Sequence, residues 1–247
     1  MVIKKGNRMD RQYSFEDFIH IVETLRSENG CPWDREQTHK SLKPCMMEEA
    51  AELVSSIRIY ENTGNFENMR EELGDILLQV VMHSQIAKEE GLFALADVVH
   101  EISEKMVRRH PHVFANKELT EGTQEVLLNW DEIKRKEKEG KTWIESPLRE
   151  IPKELPALTR ASKILKKADK LYRIGADYQN NVKKLEEAVH QLSELQPENE
   201  DADLQKIIGD MLLSLSDISR QYRIAQEQIL TDRIEDIIDA CEPLPKP

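Results

Sequence analysis

The sequence predicts an all-α fold, and two observations lead to this prediction. Apolar residues recur at the 3.6-residue period of an amphipathic helix along most of the 247 residues. The chain contains only nine glycines and ten prolines, and several of the prolines cluster near residues 147–156 and at the C-terminus. So few turn-forming residues argue against an all-β fold, in which many turns separate short strands.

The first half of the chain is predicted to contain five principal helices. Ser14 is the expected N-cap of the first helix, which ends at Asn29 and Gly30. Pro44 fits the first turn of the second, and Gly91 is the expected C-cap of the third. The second to fifth helices are predicted over residues 44–60, 66–90, 94–109 and 123–138. Residues 61–65 are expected to form a loop. The segment CPWDREQT is also expected to be a loop, and it leads into a short helical turn.

The helical pattern lapses between residues 140 and 156, where three prolines are spaced along the chain. This segment is interpreted as a linker or hinge. Helical periodicity then returns over residues 157–170, 182–195, 204–228 and 232–241. The expected organisation is therefore a domain over residues 1–140, a linker over 141–156 and a second domain over 157–247.

Charge and cysteine content narrow the function classes. The formal net charge of −12 argues against DNA or RNA as the main partner, but a small nucleotide remains possible because a metal ion can mask local acidity. The three cysteines show no CxxC spacing, which favours free thiols in a reducing compartment. The N-terminus lacks the apolar region of a signal peptide, and no run approaches the ~20 apolar residues of a membrane span. We expect a cytoplasmic protein.

Two stretches place paired carboxylates in otherwise apolar helices. MMEEAAELVSSI, at residues 46–57, carries Glu49 and Glu52, and REELGDILLQVV, at residues 70–81, carries Glu72 and Asp75. Each pair has i, i+3 spacing, so its two carboxylates share one helix face. If the two helices pack antiparallel, four carboxylates converge, and their repulsion favours a bound divalent cation. Oxygen-only ligation favours Mg²⁺ or Mn²⁺ over zinc.

Acidic pairs of this kind also arise by chance on solvated helix faces, because the chain has 47 acidic residues. The flanking residues argue against this alternative. Leu53 and Ile57 follow Glu49 near its face, and the helix after Asp75 is almost wholly apolar. The carboxylates are therefore expected at the edge of a hydrophobic core.

The ordered set E-E-x-x-E, a gap, then E-x-x-D resembles the signature of the MazG family of nucleoside triphosphate pyrophosphohydrolases. GCPWDREQTHKSLKP, EELGDILLQVVMHSQIA, KMVRRHPHVF and WDEIKRKEK are similar to that family too, over residues ~15–138. Together with a partial internal repeat in the second half, the resemblance predicts two tandem MazG-like helical units, each close to a four-helix bundle. It also implies a homodimer that hydrolyses (d)NTPs to (d)NMP and pyrophosphate, either to remove aberrant nucleotides or to control nucleotide pools.

The resemblance further implies roles for individual residues. Mg²⁺ ligands are expected at Glu49, Glu52, Glu72 and Asp75, with Glu48 as a neighbouring or water-orienting group. Such an ion would neutralise the triphosphate and activate water, and one carboxylate would accept the proton, although the sequence does not identify which. Contacts with the nucleotide are expected from Lys105, Arg109, Trp130, Lys134 and Trp33.

Four of these five nucleotide contacts have a structural alternative. The cations at Lys105 and Arg109 would also complement a helix dipole, Trp130 could be a packing residue, and Trp33 could shape its loop. The segment HPHVF, with His110 and His112, is interpreted as a helix cap and turn rather than as a metal site.

The second half partly repeats the first, with EEA at 186–188 echoing 48–50 and GDMLL at 209–213 echoing GDILL at 74–78. His190 replaces Glu52 and Ile207 replaces Glu72 in this copy. Asp236 and Ala240 stand where the phosphate-contacting cations are expected. The second copy is therefore predicted to be degenerate and structural, and the first copy to be catalytic.

Other functions remain open at this point. The chain could be a non-catalytic nucleotide sensor or assembly scaffold, which metal-dependent turnover would exclude. It could be a dUTPase-like all-α pyrophosphatase with a narrow base preference. A di-iron carboxylate bundle is disfavoured, because the first copy has no Glu-x-x-His pair on these helices.

Overall fold

The computed structural model describes residues 12–115, Ile133, Glu137, and residues 146–195 and 202–242. The described residues form helices and contain no strand, as the all-α prediction requires. The helices are α1 (Phe15–Arg26), α2 (Pro32–Glu36), α3 (Lys43–Thr63), α4 (Glu67–Glu89), α5 (Leu95–Arg109), α6 (Pro111–Phe114), α7 (Ala157–Tyr172), α8 (Tyr178–Glu194), α9 (Ala202–Gln221) and α10 (Gln226–Cys241). The predicted helix over residues 123–138 lies outside the described residues, apart from Ile133 and Glu137.

A capping box begins α1. The Asp17 backbone N–H donates to Ser14 Oγ, and the Ser14 N–H donates to Asp17 Oδ2, each at 3.1 Å. These reciprocal bonds satisfy N–H groups that have no partner within the helix, which explains why the helix begins here. The helix ends at Arg26, earlier than predicted, and the Gly30 N–H donates to the Ser27 carbonyl in the turn that follows.

The core of the first half lies between α1, the start of α3 and the C-terminal half of α4. Its buried side chains are Val22, Leu42, Val81, Met82 and Ile86, and Phe18, Leu78 and Leu95 pack against them. Burying this apolar surface supplies the main free energy that holds the helices together.

A tight turn joins α3 to α4. Gly64 adopts a φ of 73° and its N–H donates to the Tyr60 carbonyl at 2.8 Å, so a residue without a Cβ ends the helix. The helix continues to Thr63, so the prediction of a loop over residues 61–65 was wrong for its first three residues. The short connection makes α3 and α4 antiparallel neighbours that pack against each other.

In the second half, α9 packs against α7 and α8, and α10 packs against α7. The single helix predicted over residues 204–228 was wrong: α9 ends at Gln221 and α10 begins at Gln226. Arg223 adopts a φ of 58°, and its N–H and that of Ile224 donate to the carbonyls of Arg220 and Ser219. This is a Schellman ending formed without glycine, so no glycine marks it in the sequence.

By its internal contacts the chain divides into two compact units, Met1–Glu137 and Lys138–Pro247. Before α7, Ile151 is buried and Lys167 Nζ donates to Glu150 Oε2 at 2.5 Å. The exact domain and linker boundaries stay predictions. Across the described ranges, no helix combines the length and the apolar character needed to span a bilayer.

Candidate metal centre

The predicted acidic residues lie on the facing helices of the α3–α4 hairpin. Glu49 and Glu52 are on α3, and Glu72 and Asp75 are on α4. Because the hairpin folds the two i, i+3 pairs toward each other, side chains far apart in sequence meet at one place. One carboxylate oxygen from each of Glu49, Glu72 and Asp75 lies within 4.8 Å of the other two.

Glu49 is the carboxylate most strongly affected by this arrangement. It is half-buried, and desolvation raises its pKa, with a further rise from the negative charges of Asp75, Glu52 and Glu72. A hydrogen bond with Glu52 raises the pKa of Glu49 as well. Mutual repulsion in a partly dry site is the condition that a divalent cation relieves.

Glu52 and Glu48 lie at the margin of the site. Glu52 is exposed and is not part of the three-residue group within 4.8 Å, although it is close enough to affect Glu49. Glu48 is exposed. Among the described residues, no second group of three histidines, cysteines or carboxylates comes this close together.

Asn68 was not singled out from the sequence, yet it contacts the cluster directly. It lies one turn before Glu72 on α4, and its Nδ2 donates to Glu72 Oε1 at 2.7 Å. The i, i+4 spacing to an acidic residue was the available signal. Asparagine at this spacing is common on helix surfaces. The spacing therefore points to the acidic cluster only once the structure places Glu72 in it.

The predicted phosphate-contacting cations lie on α5. Lys105 and Arg109 are both half-buried. Arg109 donates from Nε and Nη2 to Glu137 Oε2, at 3.2 and 2.5 Å, and Arg108 donates from Nη2 to Glu137 Oε1 at 2.8 Å. The hydrogen bonds from Arg109, followed by those from Arg108, lower the pKa of Glu137 to about 2 despite desolvation. The sequence analysis did not identify Glu137.

The structure describes only some of the other residues that the sequence analysis singled out. Trp33 lies on α2 and is 61% exposed, so its ring is accessible to a ligand. Trp130 and Lys134 lie outside the described residues. His110 ends α5 and begins α6, and its Nδ1 lies 2.6 Å from the Met106 carbonyl oxygen, in keeping with its interpretation as part of a cap and turn.

Arg26 fixes the segment that carries Trp33. This buried guanidinium donates from Nη1 to the carbonyls of Asp34 and Gln37, at 2.5 and 3.1 Å. Its Nη2 donates to Glu89 Oε2 at 2.7 Å. One side chain of α1 therefore joins the α2 segment to the end of α4.

In the second unit, the residues that the sequence analysis predicts to correspond to the acidic cluster line a cavity of about 440 Å³ between α8 and α9. Glu187 and Asp210 contribute carboxylates, and Ile207 is a buried apolar part of the wall. His190 is directed to solvent and lies 3.6 Å from Glu194. If the predicted repeat holds, an aliphatic side chain takes the place of Glu72 in this unit.

Comparison with known proteins identifies the family of this chain. A family model described as the MazG nucleotide pyrophosphohydrolase domain matches residues 37–114. The nucleoside triphosphate pyrophosphohydrolase/pyrophosphatase MazG of Thermotoga maritima is 39% identical over 216 residues, which cover 87% of this chain and 79% of that protein. This chain belongs to the MazG family.

Two further relatives extend the comparison. The nucleoside triphosphate pyrophosphohydrolase of Escherichia coli is 37% identical over 220 residues, covering 87% of this chain and 78% of that MazG-family protein. The uncharacterized protein YabN of Bacillus subtilis is 42% identical over 220 residues, which cover 89% of this chain but only 44% of YabN. The span matched by the family model contains the acidic cluster, Asn68, Lys105 and Arg109.

Proposed function

We propose that this MazG-family chain hydrolyses nucleoside triphosphates to nucleoside monophosphate and pyrophosphate. The observation that carries the proposal is the convergence of Glu49, Glu72 and Asp75 within the span that the family model matches. The names of the relatives from T. maritima and E. coli support the same reaction. Removal of aberrant nucleotides and control of nucleotide pools are both roles that this activity would serve.

We further propose that the acidic cluster binds Mg²⁺, or Mn²⁺ in its place. The chemistry of the donor set fits, because three carboxylate oxygens lie close enough to share one hard cation. The raised pKa of Glu49, caused first by desolvation and then by the neighbouring carboxylates, supports a compensating positive charge at this site. We include Glu52 as a fourth ligand, supplied from the exposed side of α3. When bound, the metal would neutralise phosphate charge and activate water.

The residues of the chain would then bind and orient the substrate. Lys105 and Arg109 are proposed to meet phosphate oxygens, and a planar guanidinium suits such bidentate contacts. Trp33, together with Trp130, is proposed to stack on the base, with Lys134 as an additional contact. One carboxylate of the cluster accepts the proton of the attacking water, and the exposed Glu48 is proposed to orient that water.

We propose that the second unit is a degenerate copy of the first and has no catalytic role. Ile207 and His190 cannot replace two carboxylates as ligands of a hard cation, because one side chain is aliphatic and the other carries nitrogen donors. The loss of the ligands would leave a helical unit whose contribution is structural.

A homodimer is proposed as the functional assembly. Large apolar side chains are exposed on α3, α4 and α5: Val54, Ile57, Leu73, Leu77, Val99 and Ile102. A second copy that covers them would complete the helical bundles and remove this surface from water. We also propose a cytoplasmic location, with which the three free cysteines are compatible.

Product analysis tests the proposed reaction. The purified chain is incubated with a panel of NTPs and dNTPs in Mg²⁺ or EDTA, and products are separated by ion-exchange chromatography. We expect monophosphate and pyrophosphate in equal amounts, formed only with the metal, and the panel would reveal base preference. Nucleoside diphosphate and inorganic phosphate would contradict cleavage between the α and β phosphates. Binding without turnover of any nucleotide would indicate a sensor or scaffold.

A further inference from the structure

A hydrogen bond joins Asn68 to Glu72, a carboxylate of the acidic cluster. Asn68 is half-buried, and its Nδ2 lies 2.7 Å from Glu72 Oε1. Glu72 also contributes an oxygen to the group within 4.8 Å of Glu49 and Asp75. Asn68 therefore contacts a residue of the cluster.

Two physical consequences follow from this contact. A neutral amide donor holds the Glu72 carboxylate in place without adding a charge that would compete with a cation. The bond also restricts the rotation of a side chain that has three rotatable bonds, so less conformational entropy is lost when the carboxylate meets a ligand. Carboxylates that bind metals in proteins are commonly held by hydrogen bonds of this kind.

The contact contributes little to folding. Pairs of hydrogen-bonded side chains at i, i+4 stabilise even an isolated helix only slightly. A substitution at residue 68 should therefore leave the fold intact, so that an effect on the acidic cluster is measurable separately from stability.

We propose that Asn68 is a positioning residue that holds Glu72 in the orientation required for binding a divalent cation between α3 and α4. This inference rests on the proposed function, because the cation site is part of it. Asn68 itself is not a ligand in this account, since its amide nitrogen is the donor to Glu72.

Direct titration with Mn²⁺ tests the proposal without measuring turnover. Free Mn²⁺ is followed by electron paramagnetic resonance for the wild type, Asn68→Leu, Asn68→Gln and the control Asn62→Leu. Asn62 is an exposed residue near the end of α3 and makes the control a matched substitution on the same hairpin. Circular dichroism and urea unfolding show that each variant is folded, and Asn68→Ala replaces the leucine variant if that variant does not fold.

We expect Asn68→Leu to weaken Mn²⁺ binding by about 10-fold or more, the range typical of residues that orient metal ligands. Asn68→Gln should retain affinity within about threefold, because glutamine also reaches an acceptor four residues along a helix. Asn62→Leu should match the wild type.

Three results would overturn the inference. Unchanged Mn²⁺ affinity in folded Asn68→Leu, with binding intact in the wild type, would reject the role of Asn68 and leave the metal site standing. A wild-type protein that binds no Mn²⁺ would reject the proposed metal site and the inference together. Equal weakening in Asn68→Leu and Asn62→Leu would also reject it, since the effect would then not depend on the contact with Glu72.

Discussion

Glu137 bridges Arg108 and Arg109 at the end of α5, accepting hydrogen bonds from Arg108 on Oε1 and from Arg109 on both carboxylate oxygens. The arginines lower the pKa of Glu137 from 4.5 to about 2. This carboxylate therefore stays ionised in the folded protein well below the pH at which it becomes protonated in the unfolded chain. The ion pairs of Glu137 with Arg108 and Arg109 therefore stabilise the fold at neutral pH, and this stabilisation decreases at low pH.

Glu137→Gln should lower the free energy of unfolding by about 1–2 kcal/mol at pH 7, because hydrogen bonds to a charged group are replaced by weaker ones. The lowered pKa means that the stabilisation is fully present above pH ~5 and is lost as the pH falls toward 2. Urea unfolding at pH 7, 5 and 4 measures this, and the gap between variant and wild type should narrow at pH 4. A gap independent of pH would contradict the ion pair.

The raised pKa of Glu49 predicts a dependence of stability on pH that is opposite to that of Glu137. Because its folded pKa lies above the unfolded value, ionised Glu49 destabilises the metal-free protein at neutral pH. Glu49→Gln should raise the Tm in EDTA at pH 7.5, and the difference should shrink as the pH falls and wild-type Glu49 becomes protonated. Calorimetry in EDTA at pH 7.5 and pH 5 measures both changes.

Addition of Mg²⁺ should reverse this difference, so that the wild type has a higher Tm than Glu49→Gln. A cation that binds the folded state raises the Tm of the wild type, and the variant has lost one of its ligands. Glu187→Gln, the same substitution at the position that the predicted repeat aligns with Glu49, should respond to Mg²⁺ as the wild type does. Equal Mg²⁺ effects on the wild type and Glu49→Gln would contradict the assignment of Glu49 as a ligand.

Arg26→Ala should destabilise the protein by about 2–4 kcal/mol. The substitution removes a buried guanidinium that binds Glu89 and two backbone carbonyls, and it leaves those acceptors without this partner. Arg26→Lys should recover only part of the loss, because an ammonium cannot reproduce the planar fork. Urea unfolding measures these effects, with the exposed Arg35→Ala as a control expected to change stability by about 0.5 kcal/mol or less. Equal effects of Arg26→Ala and Arg35→Ala would show that the buried network contributes nothing specific.

Trp33→Ala should raise the KM for the preferred nucleotide by about 5- to 100-fold, the value of one stacking contact, and change kcat little. Its effect on stability should be small, because the ring is 61% exposed. Steady-state kinetics measure the first effect and thermal unfolding the second. The control Tyr172→Ala removes an exposed aromatic ring from the second unit and should leave KM unchanged. A large loss of stability with no change in KM would assign Trp33 a structural role in the α2 segment.

Local sequence signals predicted much of the first unit. Ser14 and Gly91 have strong and well-understood preferences, and both residues occupy the helix ends expected of them. The break between α9 and α10 could not be predicted in this way. Arg223 adopts the left-handed conformation that glycine usually supplies, and the stabilising bonds come from backbone groups with no residue preference.

In the acidic site, too, some features could be predicted from the sequence and others could not. Spacing placed Glu49 with Glu52 and Glu72 with Asp75 on single helix faces, and the short loop at Gly64 made an antiparallel hairpin reasonable. Asn68 had only the weak signal of its i, i+4 spacing to Glu72, and its contribution depends on the direction of its side chain. Glu137 contacts arginines 28 and 29 residues earlier in the sequence, and such a contact leaves no periodic signal in one sequence. The catalytic and binding roles of all these residues stay predictions.

Pyrophosphate release by the wild type, Glu49→Gln and Glu187→Gln tests the central claim most directly. The assay uses NTPs and dNTPs in Mg²⁺, with folding of each protein checked by circular dichroism. We expect Glu49→Gln to lose at least 100-fold in kcat/KM, because it removes a ligand and a charge from the cluster, and Glu187→Gln to retain wild-type activity. Full activity in Glu49→Gln, or loss of activity in Glu187→Gln alone, would contradict an active site between α3 and α4.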